Sequence, residues 1–170
     1  MSRIPYRDSS VLPQGLPPLN LFRMLAHSPS TLPHVISLGT AVFRDTSLSP
    51  HLRELLCLLN AQRLSCQYQW KQHLSIAKQN GVSDEQIAAL LSVDISCDMF
   101  SEEEKALLEF VDQVIERPEV DEETFAKARK HFNDQILVEI VTMQVRPEQT
   151  FRSGIPMTKE YRDSITNSRG

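Results

Sequence analysis

The feature that most limits what this chain can fold into is the stretch from Ser49 to Gly81. Ser49-Pro50 is the cap-then-proline pair favoured at helix starts, and Leu52, Leu55, Leu56 and Leu59, with Leu58 on the same broad face, recur at the helical period. That spacing predicts a helix running to about Leu64. A second helical pattern extends from Cys66 to Asn80 and stops at Gly81. Two amphipathic helices joined by a turn near Leu64-Ser65 make an antiparallel hairpin, and the remaining segments have to cover it.

Those segments also read as helices. Asn20 caps a short one from Leu21 through Ala26, closed by His27-Ser28-Pro29, and a second runs from about Ser30 to Arg44 with Leu32, Val35, Ile36, Leu38 and Val42 as its apolar residues. Ser83-Asp84-Glu85-Gln86 and Ser101-Glu102-Glu103-Glu104 are capping-box starts; the second leads into the stripe Ala106, Leu107, Phe110, Val111, Val114 and Ile115. A helix from Asp121 to His131 follows, and Asn133-Asp134 caps a last one through Ile136, Leu137, Ile140, Val141 and Met143. No strand pair or Gly-rich hairpin turn competes, so the expected class is all-α around a central antiparallel helical hairpin.

The 170 residues give room for one domain that buries roughly two thirds of its unfolded surface. Residues 1–18 hold Pro5, Pro13, Pro17 and Pro18 and are expected to form an extended arm; residues 19–145 form the helical domain; residues 146–170, broken by Pro147, Gly154 and Pro156, are expected to be a flexible tail. With 18 Lys and Arg against 22 Asp and Glu, no basic face is available for nucleic acid. Three cysteines are too few for a disulfide framework, the first residues lack an apolar leader, and no apolar run approaches a membrane span. The expectation is a cytoplasmic chain with neither nucleic-acid nor membrane partners.

Chemically capable side chains concentrate between Glu54 and His73. At 1.5 Å per residue, Glu54 lies about 15 Å before the turn and His73 about 12 Å after it, so antiparallel packing brings them nearly level. A carboxylate that orients an imidazole is a common acid/base arrangement, active near neutral pH. Cys66, Gln69, Trp70 and His73 share one stripe of the second helix. Cys66 stands near a helix N-terminus, which lowers a thiol pKa, whereas Cys57 and Cys97 read as ordinary apolar cysteines. His27, His34, His51 and His131 show no ligand spacing, and no H-E-x-x-H or paired C-x-x-C occurs, so no metal is expected.

Leu19-Asn20-Leu21-Phe22-Arg23-Met24-Leu25-Ala26-His27-Ser28-Pro29, Leu52-Arg53-Glu54-Leu55, Cys66-x-Tyr68-x-Trp70-x-x-His73 and Gly81-Val82-Ser83-Asp84-Glu85-Gln86-Ile87, in that order, resemble the carboxymuconolactone decarboxylase family, which includes the AhpD-like proteins. The resemblance implies an AhpD-like all-α fold and assembly as trimers or larger rings. In the AhpD-like branch, a Glu, a C-x-x-C pair and a His form a thiol redox site. Glu54, Cys66 and His73 match, but the second cysteine position is Gln69, one helical turn before His73, so the best-placed motif thiol is missing.

The decarboxylase branch acts on small carboxylated lactones without metal or organic cofactor. The expected activity is therefore a cofactor-independent decarboxylase or related lyase on a small organic acid or lactone. His73 is the acid/base group, Glu54 orients it, Tyr68 and Cys66 are further catalytic candidates, and Gln69 and Trp70 line the substrate pocket. The alternatives are a thiol peroxidase or reductase using Cys66, and a catalytically silent assembly protein. A homo-oligomer, trimer or hexamer, is expected, because the leucine-dense run Leu52 to Leu64 would leave a large apolar patch on a monomer. The break at Val145-Arg146-Pro147 departs from the family, which continues there through another apolar helix.

Overall fold

The computed structural model describes residues 4–144; the expected tail, residues 146–170, lies outside the described residues. The described residues form eight α-helices and no strand: α1 (Asn20–Leu25), α2 (Leu32–Arg44), α3 (Pro50–Arg63), α4 (Gln67–Gln79), α5 (Asp84–Ser92), α6 (Glu102–Glu116), α7 (Glu122–His131) and α8 (Asp134–Gln144). The all-α expectation holds, and each helix starts within about two residues of its sequence signal. No helix among the described residues is long and apolar enough to cross a membrane. The chain divides into two compact units at Ala41/Val42, the second running from Val42 to Val145.

In the first unit the proline-rich arm is extended apart from a 3-10 turn at Ser9–Val11 and a turn at residues 14–15, where Gly15 takes φ 83° and Leu16 N–H donates to Pro13 O, and is tied to α1. Arg7 N–H donates to Arg23 O at 3.2 Å and Arg23 Nε donates back to Arg7 O at 2.8 Å, with the Arg23 guanidinium over the Tyr6 ring. One expectation fails here: Asn20 is the first residue of α1 and Leu19 takes the cap position, with no side-chain cap bond. Leu19 follows Pro17-Pro18 in an extended conformation, which moves the start back by one residue and leaves Asn20 Oδ1 to accept from Arg23.

In the second unit α3 is the central element, packed against α4, α5 and α6, while α6 in turn carries α7 and α8. Its sequence explains this position. Leu52 and the unbroken run Glu54–Ala61 are buried, so α3 has almost no polar face and needs neighbours on every side. The leucines predicted to form an intermolecular patch are thereby covered within the chain itself, and that argument for assembly does not stand.

The hairpin ends α3 with two hydrogen bonds, Ser65 N–H to Gln62 O and Cys66 N–H to Ala61 O, around Ser65 at φ 51°. This is the Schellman arrangement, usually built on glycine. A serine in that left-handed conformation is held by the packing of α3 on α4. Gly81, at φ 83°, closes α4 in the same way, as its position in the sequence predicts.

Both predicted capping boxes form, and their third helical residues bond to each other: Gln86 Nε2 donates to Glu104 Oε1 at 3.1 Å. His51, at the start of α3, bridges the same carboxylate (2.5 Å) to the Asn80 carbonyl (3.1 Å) at the end of α4. Burial works against a charge on Glu104, but the Ser101 N–H, His51 and Gln86 outweigh it and hold the carboxyl below its ordinary range. Glu104→Ala is expected to cost about 1–3 kcal/mol, because it strands His51 and Gln86 and removes half of a cap. A lowered carboxylate pKa stabilises above its unfolded value and fades as pH falls through the folded one, so thermal melting of wild type and variant should converge in acid.

Candidate active site

Two adjacent helices set the site. Glu54 lies on the first turns of α3 and is fully buried; His73 lies midway along α4, on its buried face with Gln69, Trp70 and Ala77. Because α3 and α4 run antiparallel from the turn at Ser65, the two side chains meet, with His73 Nδ1 2.7 Å from Glu54 Oε2. The carboxylate accepts the Nδ1 proton, which fixes the plane of the ring. The other carboxylate oxygen, Oε1, takes a longer 3.4 Å contact from Arg53 Nε. Arg53 Nη1 donates to the Phe43 carbonyl, and its guanidinium lies 5.3 Å from the centre of the Phe43 ring. That ring stacks on His73, with centroids 5.8 Å apart. The imidazole is thus held by a carboxylate on one nitrogen and an aromatic face.

The structure adds one residue that the sequence reading set aside. Cys57 is buried one helical turn after Glu54, and ligand-capable atoms of Glu54, Cys57 and His73 all lie within 4.8 Å of one another. The signal was its i, i+3 spacing from Glu54, which puts both on the face of α3 that meets α4. Its apolar neighbours Leu56 and Leu58 masked it. Burial penalises an imidazolium here, but Cys57, through charge and hydrogen bonding, and Glu54 together overcome the cost and raise His73 to about 10. His73 is expected to stay protonated through neutral pH, with its ring proton resonances moving only in alkali. Cys57→Ser should bring that NMR midpoint down.

The other candidates fall into place around this group. Gln69 is buried and donates from Nε2 to the Cys57 carbonyl at 3.1 Å, pinning α4 to α3 where the family's second cysteine would stand. Trp70 belongs to the hydrophobic core. Tyr68 is half-buried, with its hydroxyl oxygen shielded from solvent. Cys66 is the N-cap residue of α4, half-buried and outside the converging group. Cys66 stands two turns from His73, as the spacing indicates; the thiol that faces the imidazole comes from the preceding helix.

Known proteins bear on this geometry. The sequence profile of the carboxymuconolactone decarboxylase family matches residues 29–113, half of the chain, and takes in both Glu54 and His73. An uncharacterized protein of Bacillus subtilis (strain 168), YdfG, is 28% identical over 100 residues, which are 58% of this chain and 67% of that protein. A crystal structure of a protein of unknown function from Agrobacterium tumefaciens, a candidate antioxidant defence protein AhpD, superposes with a TM-score of 0.66. It is 22% identical, and the match covers 79% of this chain and 97% of that one, a likeness of fold. With the profile spanning the hairpin and its paired carboxylate and imidazole, the chain belongs to the carboxymuconolactone decarboxylase family.

Proposed function

We propose that the protein is a cofactor-independent decarboxylase or related lyase acting on a small carboxylated organic acid or lactone, with His73 as general acid/base and Glu54 as its orienting partner. The buried 2.7 Å bond between Glu54 and His73 carries this reading. As a substrate carboxylate leaves as carbon dioxide, the electron pair it releases forms an enolate, and the imidazolium of His73 donates the proton that quenches it. Glu54 stabilises the imidazolium before transfer and water restores the proton afterwards. Tyr68, Gln69, Trp70 and Cys66 are assigned as neighbours that shape the substrate's surroundings. Assembly as a trimer or hexamer, which family membership suggests, belongs to the same proposal; a mass near 19 kDa by light scattering would oppose it.

Cys57 supports a second reading, a thiol peroxidase or reductase. Its thiolate would attack a hydroperoxide to give a sulfenic acid and an alcohol, and two equivalents of an external thiol would restore it, releasing water and a disulfide. One experiment separates the readings. The purified protein is assayed on carboxylated lactones without reductant, and on organic hydroperoxides with a dithiol. Product from the lactones that survives Cys57→Ser supports the lyase; turnover confined to hydroperoxide and lost in Cys57→Ser assigns the thiol chemistry.

A further inference from the structure

The Glu54–Cys57–His73 group is also a set of metal donors. A carboxylate, a thiolate and an imidazole are the ligands that a borderline-soft divalent cation selects, and three protein ligands leave a fourth position open. No linear motif encodes the set, because two donors come from α3 at i, i+3 and the third from α4. Their atoms lie within 4.8 Å of one another, against roughly 3.3–3.8 Å between ligands in a tetrahedral zinc site, so closure needs only side-chain adjustment.

The backbone is already in register. Gln69 ties α4 to the carbonyl of Cys57 itself, and Glu54 offers Oε2 while Oε1 faces Arg53. Charge is compatible with this: once their protons are displaced, the carboxylate and thiolate would supply two negative charges, which one dication neutralises while the imidazole binds in its neutral form.

We infer that Glu54, Cys57 and His73 bind one zinc-type divalent cation, and that its occupancy displaces the proton shared by Glu54 and His73 and switches the acid/base site off. The silencing rests on the lyase reading above; the binding does not. The guanidinium of Arg53, beside Glu54 Oε1, opposes a cation and makes the occupancy reversible.

The test is a titration of the reduced, metal-free full-length protein with cobalt chloride, followed by zinc chloride. The expected result is one cobalt per chain, with the intense visible bands of a tetrahedral site and a near-ultraviolet thiolate-to-cobalt band, all bleached by zinc. Cys57→Ser should lose the thiolate band, and His73→Ala should weaken cobalt binding by about tenfold or more. Cys97→Ser should leave the spectrum unchanged. Circular dichroism checks that each variant is folded. If Cys57→Ser fails to fold, the double variant Cys66→Ser with Cys97→Ser decides instead, because Cys57 is then the one thiol left in the chain and the band should remain. A wild type without the thiolate band, a band that persists in folded Cys57→Ser, or a band lost from the folded double variant would overturn the inference. Because the spectrum requires no substrate, failure of the lyase assay leaves this result standing, and the reverse also holds.

Discussion

His73→Ala is expected to lower turnover by about a hundredfold or more, the scale on which a positioned acid/base group contributes. The reason lies in how little else at the site can replace it: the imidazole is buried and fixed by one short bond to a fully buried carboxylate. Glu54→Gln should do nearly as much damage by a different route. The amide keeps the size of the side chain, but it loses the charge that favours the imidazolium and it can present an N–H to Nδ1, reversing the tautomer. Both variants should lower kcat more than they raise KM, because the dyad acts as charge develops in the reaction. A His73→Ala enzyme with wild-type kcat on the substrate identified by the lactone screen would remove His73 from the chemistry.

The second large effect concerns stability. Leu58→Ala is expected to cost about 3 kcal/mol, within the range found when a fully buried leucine is truncated. In a chain of this length that corresponds to a fall of roughly 6–12 °C in the melting temperature. Leu58 is one helical turn after Glu54 and next to Cys57, so the cavity opens beside the carboxylate rather than in a remote part of the core. Water entering it would loosen the ion pair, and activity should fall at temperatures where the variant remains folded. A loss below about 1 kcal/mol would mean that α3 is less enclosed than its burial indicates.

Much of this architecture is legible in the amino-acid sequence. Cap residues and apolar spacing placed the helices because those signals are local: Ser49, Ser83, Ser101 and Asp121 each accept the backbone hydrogen bond expected of them. The Glu54–His73 pair was legible for a related reason, since a short turn between two helices fixes how far residues on either side travel before they meet. The sequence is silent where the answer depends on what surrounds an element. The leucines of α3 resemble an assembly face when α3 is considered alone, and only the wrap of α4, α5 and α6 shows that they are already covered. Cys57 was missed because a cysteine among leucines carries no mark of its partner, which arrives from another helix.

Trp70, the chain's only tryptophan, stands one helical turn before His73 and is almost wholly buried. The molecule therefore contains a single indole, which red-edge excitation isolates from the three tyrosines and which the same helix places beside the reactive group. Its emission reads one location without any label. A red shift reports water reaching the hairpin, and a change in intensity at constant wavelength reports a change of charge or occupancy at the neighbouring imidazole. Opening of the fold and events at the site can thus be followed separately, in one cuvette, by the colour and the brightness of the same residue.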